Sequence, residues 1–171
     1  MRNVEFKGNK FTSVSDQGQD FFAYICNDCK PGFWLDLGAR NFKPNYSYGA
    51  NNTYGLHKAG WNGISFDLQD HKADYPSDVK FYTVDCTHVD KMNKIFDENK
   101  TVIPDVVNYL SVDLDKDSFE GLKNIDFTKY KFVCMTIEHC ANLFGEKRNK
   151  EPERELLLDC GYEIFVPLNN F

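Results

Sequence analysis

The chain is expected to fold as a three-layer α/β sandwich of the Rossmann-like kind, with a mostly parallel sheet and a last strand that is shortened or missing. Three observations predict this. Short apolar runs alternate with segments of helical period, the pattern of α/β folds. Three of those runs, around 33–37, 62–66 and 105–112, carry an aspartate at or just past the end, Asp36, Asp67 and Asp113. The first continues into Gly38 and Ala39, a strand-to-helix turn of the type at which open α/β sheets bind nucleotide-like ligands.

The elements follow in order. Phe21, Phe22, Ile25 and Cys26 mark a leading helix from about Gln19, within a lead-in region of residues 1–30. Strands are expected near 33–37, 62–66, 80–84, 105–112, 131–137 and 162–166. Residues 52–59 read as a helix with a polar cap at its start. His88 to Asn99 places Val89, Met92, Ile95 and Phe96 at helical spacing, so one face packs on the sheet. Ser118 to Lys123 is a short helix, and Glu153 to Cys160 a longer one ended by Gly161. Asn41 to Ala50, rich in Asn, Tyr, Pro and Gly, is a loop at the carboxyl edge of the sheet, where loops carry function.

Size and composition fit one domain over residues 1–171, which buries roughly 70% of its unfolded surface. With 42% hydrophobic and 15% aromatic residues the chain is a packed globule rather than a disordered one. No apolar run is long enough to span a bilayer, and Met1 to Lys7 lacks the apolar core of a secretory signal, so the expected address is the cytoplasm. Six cysteines are then expected to be thiols; Cys26-Asn27-Asp28-Cys29 has metal-ligand spacing but no second close pair. A net charge of −6 disfavours a nucleic-acid footprint. Lys147-Arg148-Asn149-Lys150 is flanked by Glu146, Glu151 and Glu153 and reads as a solvated helix entry. The expected partner is a small molecule or glycan, and the oligomeric state is left open.

The ligand is narrowed by what the turn lacks. A nicotinamide dinucleotide asks for G-x-G-x-x-G, and residues 38–43 offer one glycine; a phosphate-binding P-loop is also absent. S-adenosyl-L-methionine needs ribose and adenine contacts and a polar cradle but no pyrophosphate grip. Asp67 would accept the ribose hydroxyls, and Asp85-Cys86 closes the third strand near where an adenine would lie.

The motifs also resemble one family. Gln19-Asp20-Phe21-Phe22, Gly32-Phe33-Trp34-Leu35-Asp36-Leu37-Gly38-Ala39, Asn51-Asn52-Thr53-Tyr54 and Gly60-Trp61-Asn62-Gly63-Ile64 come first. Asn108-Tyr109-Leu110-Ser111-Val112-Asp113-Leu114-Asp115-Lys116 and Thr136-Ile137-Glu138-His139 follow in order. Together, from about Asp16 to Tyr162, they are similar to FkbM-like methyltransferases, which have a class I S-adenosylmethionine-dependent fold. The resemblance implies an O-methyltransferase. It implies that the cofactor lies against Asp36, Gly38, Ala39, Arg40, Asn52, Thr53, Asp67, Leu68, Asp85, Cys86 and Asp113. It makes Asp113, Asp115, Glu138 and His139 the candidate base and substrate clamp, and Asp113, Glu138 and His139 the candidate ligands of a magnesium or manganese ion. A sugar hydroxyl is the expected acceptor, with Tyr46, Tyr48 and His139 touching it, since tyrosines stack on a sugar's apolar face.

The sequence departs from the family in the bulky Arg40-Asn41-Phe42-Lys43-Pro44, in His57 where the family has an acid, and in Asp115-Lys116 where it has Glu-Gly. A cofactor-binding module without catalysis and a methyltransferase of a non-sugar small molecule are therefore kept as alternatives. A nucleic-acid base methyltransferase fits poorly, because no Asn/Asp-Pro-Pro-aromatic motif is present.

Overall fold

The computed structural model describes residues 1–44, 51–145 and 147–165. Its centre is a five-stranded sheet built from β3 (Phe33–Leu37), β4 (Asn62–Asp67), β5 (Lys80–Thr83), β6 (Val106–Val112) and β7 (Lys131–Ile137), after a small hairpin of β1 (Arg2–Phe6) and β2 (Asn9–Ser13). The strand order is β5-β4-β3-β6-β7 and every neighbouring pair is parallel. Parallel strands need crossovers; those after β3, β5 and β6 run through α2 (Tyr54–Lys58), α3 (Val89–Glu98) and α4 (Ser118–Leu122), and the one from β4 to β5 through a single 3-10 turn at Lys72–Asp74. The chain begins the sheet at its centre, runs outward through β4 and β5, then returns to the other side of β3. The carboxyl ends of β3 and β6 therefore flank the switch point of a Rossmann-like sheet, where ligands bind in such folds.

Side-chain alternation along β3 explains how both faces are covered. Leu35 and Leu37 enter one core with Ile64, Phe66, Met92 and Phe96, while Trp34 enters the other with Leu56, Trp61, Phe81 and Tyr109. A strand buried on both sides has to read as a nearly continuous apolar run, as this one does. Asp36 is the exception within it.

The leading helix lies at α1 (Gln19–Cys26), as its spacing predicts, and β3 to β7 lie within a residue or so of their expected bounds. Two expectations are corrected. The lead-in is more than a helix: Lys7 and Gly8, both with positive φ, form the two-residue turn that pairs Phe6 with Asn9. The hairpin is tied to α1 by Asp20, which is fully buried and accepts hydrogen bonds from Ser13 Oγ, Ser15 Oγ and the amide of Val14 at 2.5 to 2.7 Å. The strand expected at 162–166 is absent over its described part, 162–165. There Gly161 turns the chain with φ +86, and the amide of Phe132 on β7 donates to the Tyr162 hydroxyl at 3.0 Å. One side chain thus occupies an edge position that a strand would have taken. Two further helices are α5 (Ala141–Phe144), which the sequence reading did not contain, and α6 (Lys150–Asp159). The latter starts before its expected bound because Pro152 sits in a first turn, where no amide is needed. Among the described residues no helix is long and apolar enough to cross a membrane.

Candidate functional site

The site begins with the turn after β3. Gly38 has φ +83, and its amide and that of Ala39 both donate to the carbonyl of Phe66, at 2.9 and 3.0 Å. The amide of Asp113 donates to Leu37 O at 2.8 Å, which draws the ends of β3 and β6 together. A Cβ at Gly38 would lie 1.8 Å from the Asp113 carbonyl oxygen. Glycine is required there on two counts, conformation and space.

Asp36 stands just before this turn, 1% exposed. Its carboxyl is held by the hydroxyls of Thr53, which donates to Oδ2 at 3.1 Å, and Ser111 on β6, whereas Oδ1 is buried without a hydrogen bond of good geometry. Burial pushes its carboxyl up to about 7. Thr53 is oriented by Asn51, which the sequence reading passed over as a site residue. The Asn51 Oδ1 accepts the amides of Thr53 and Tyr54, and its Nδ2 donates to Ala39 O at 2.6 Å. Asn52 reaches across to Ser111 on β6. The signal was three polar residues in a row ahead of a helix, where asparagine is a favoured turn former.

Asp67 has its Oδ2 on the Arg40 amide and its Oδ1 on the Gln69 amide, both at 2.8 Å. It holds Arg40 in the left-handed region, φ +53, and so shapes the turn after Gly38. Asp85 does a similar local job at the start of α3. It accepts the Thr87 hydroxyl and amide, which hold its carboxyl below the usual range.

Across the switch point, Asp113 at the end of β6 and Glu138 at the end of β7 have their carboxyls in hydrogen-bonding contact. Burial, that hydrogen bond and the Glu138 charge push Asp113 up to about 8, and its Oδ1 has no partner. Two acids in contact share a proton, since both cannot ionise cheaply. His139 turns back, its Nδ1 accepting the Ala141 amide at 3.0 Å, so the neutral ring carries its proton on Nε2.

Asp36, Gly38, Asn51, Asp113, Glu138 and His139 line one cleft of about 1020 Å³. Of the expected cofactor residues, Asp36, Gly38, Ala39, Arg40, Asn52 and Asp113 border it; Thr53 sits behind Asp36. Asp67, Leu68, Asp85 and Cys86 do not border it, and Leu68 is 72% exposed. Glu138 and His139 border it and Asp115 does not. Tyr46 and Tyr48 lie outside the described residues.

The side chains that converge near the expected metal ligands are a different set. Among the described residues Asp115, Glu138 and Cys140 bring ligand atoms within 4.8 Å of one another, a group that shares only Glu138 with the expected Asp113, Glu138 and His139. The Nδ1 of His139 is engaged at α5, while Cys140, with φ +46, turns its thiol toward Glu138. Burial pushes that thiol up to about 12. A thiol beside carboxylates does not suit magnesium, which takes oxygen ligands in an octahedral shell.

A pH dependence follows from the three carboxyls that burial raises, Asp36, Asp113 and Glu153, the last of them to about 8. Between the unfolded range near 4 and these folded values, the native state binds more protons than the unfolded chain. Stability therefore falls as pH rises across that window. The melting temperature should be higher at about pH 5 than at about pH 8; an equal or higher value at the alkaline end would show these carboxyls to be ionised in the fold.

No family model, no curated protein and no solved structure matches this chain.

Proposed function

We propose that the protein is an S-adenosyl-L-methionine-dependent O-methyltransferase with a class I methyltransferase fold, acting on a hydroxyl. One observation carries the proposal. Asp36 is a fully buried carboxyl with an unpartnered oxygen, bordering the cleft at the switch point of a β5-β4-β3-β6-β7 parallel sheet. A buried acid held only by the hydroxyls of Thr53 and Ser111, with one oxygen left over, costs stability unless a ligand completes it, and a cationic ligand does so best. S-adenosylmethionine carries both an ammonium and a sulfonium. Gly38 and Ala39 would let it approach the backbone, and Asn52 and Asp113 would border its other side.

Bound there, the cofactor supplies an electrophilic methyl group. The chain's own contribution is to position the acceptor and take its proton. Burial and the neighbouring Glu138 hold the proton of Asp113 up to about 8, so Asp113 becomes a basic oxygen beside the cleft as the pH rises through that value. Positioning supplies up to roughly 7–11 kcal/mol of barrier reduction, more than the factor of about 10²–10⁴ from a general base. The acceptor is read as a sugar hydroxyl, on the family resemblance and on the Asn, Ser and Tyr content of residues 41–48.

Calorimetry with S-adenosylmethionine and S-adenosylhomocysteine is the test. Binding is expected to stabilise the fold by about 2.7 kcal/mol at a hundredfold excess over the dissociation constant. Because a cation beside Asp36 favours its ionised form, the heat should also vary with buffer through proton release. Asp36→Asn should weaken binding about 10- to 100-fold and abolish the buffer dependence. No heat and no thermal shift at millimolar ligand would end the proposal, and binding without methyl transfer to any hydroxyl compound would favour the non-catalytic module.

A further inference from the structure

The cleft continues past Glu138 along β7, where Phe22 of α1, Met135 of β7 and Leu157 of α6 wall it. Glu153 belongs to this half. It borders the cleft one helical turn before Leu157, is only 4% exposed, and has a buried Oε1 without a hydrogen-bond partner. Arg154 is the one charge that acts on it among the described residues, and no hydrogen bond holds its Oε1. A buried polar atom left unpaired costs stability, and leucine would fill an apolar wall without that cost.

We infer that Glu153 anchors an acceptor subsite for a neutral, hydroxyl-bearing ring with an apolar face, a sugar being the fitting class, at the β7 half of the cleft. The inference rests on the proposed hydroxyl methylation. Burial keeps the Glu153 carboxyl largely protonated at neutral pH, so it both donates and accepts, matching a hydroxyl, which does the same. Met135 and Leu157 offer the C–H surface that a ring face covers. Charged ligands are disfavoured from both directions. An ammonium would enter beside Arg154 and the buried Lys150 of the same helix, and a carboxylate would meet Glu153, Glu138 and Glu163 around the cleft.

The test uses the cofactor-free protein and the methyl glycosides of glucose, galactose and fucose, with binding read by saturation-transfer and shift-perturbation NMR. At least one neutral glycoside is expected to bind. Glu153→Gln, which keeps shape, donor and acceptor, should change its affinity by less than about threefold, and Glu153→Leu should weaken it about tenfold. The 2-amino and uronate counterparts should bind more weakly than the neutral sugar. The inference is overturned if no glycoside binds, if Glu153→Leu binds as the wild type does, or if a charged counterpart binds best. Should the leucine variant fail to fold, the glutamine variant and the counterpart series still decide. Cofactor binding is measured separately by calorimetry. Intact cofactor binding with no glycoside response sinks the subsite alone, whereas a glycoside response without cofactor binding sinks the methyl-transfer proposal.

Discussion

Gly38→Ala should lower the melting temperature by about 10 °C and remove cofactor binding. Two costs add. An alanine at φ +83 is strained by about 1–2 kcal/mol. Its Cβ would also stand 1.8 Å from the carbonyl oxygen of Asp113, so the ends of β3 and β6 must separate, at a further cost of about 1–3 kcal/mol. For a domain of this size each kcal/mol is worth roughly 2–4 °C. Separating the strands also moves Asp36 and Asp113, which border the cleft from the two sides of that seam. Gly8→Ala is the control: it has nearly the same φ, +78, and no neighbour within 4 Å, so it carries the conformational cost alone. Equal melting temperatures in the two variants would mean that β3 and β6 are not pressed together as described.

How much of this was legible in the sequence depends on the range of the interaction. The inner strands β3, β4 and β6 were readable because they are largely buried on both faces, which writes an apolar run into consecutive residues, whereas the edge strands β5 and β7 keep exposed positions such as Thr83 and Val133. Asp36, Gly38 and Asp113 were readable because an acid or glycine ending such a run is locally conspicuous. The hairpin at the amino end was missed although Lys7-Gly8-Asn9 is a usable turn signal, since its strands bury only one face and their alternation is short. Asp20 could be seen as part of a motif, but its role depends on Ser13 and Ser15 folding back over α1. The partners of Asp67 were equally hidden: the same carboxylate at a strand end can serve a ligand or two backbone amides, and only the path of residues 40 and 69 tells which. For this reason Asp67→Ala is a poor probe of ligand binding, as it would release the turn that Arg40 makes. The converging group holds Asp115 and Cys140 where Asp113 and His139 were expected, and both of these residues have a left-handed φ, which no periodicity records.

Asp113→Asn is expected to slow methyl transfer by about 10²–10⁴-fold, the usual worth of a positioned base, with cofactor affinity changed much less. Asparagine keeps the size of Asp113 and its buried contacts but cannot share a proton with Glu138. In the wild type the rate should rise with pH through about 8 and then level, because the pair gives up its shared proton over that range. The direction is set by the raised value: an acid held protonated by burial and by Glu138 becomes a competent base only on the alkaline side. Glu138→Gln discriminates this from a purely structural role. Removing the neighbouring acid takes away two of the influences that raise Asp113, so its inflection should move to lower pH even where the rate falls. The carboxyl carbon resonance of Asp113 reports the same titration without any turnover. An Asp113→Asn enzyme that keeps more than a tenth of the wild-type rate, or an Asp113 resonance that titrates in the ordinary carboxylate range with Glu138 present, would remove the pair from the proton-accepting role and leave positioning as the site's whole contribution.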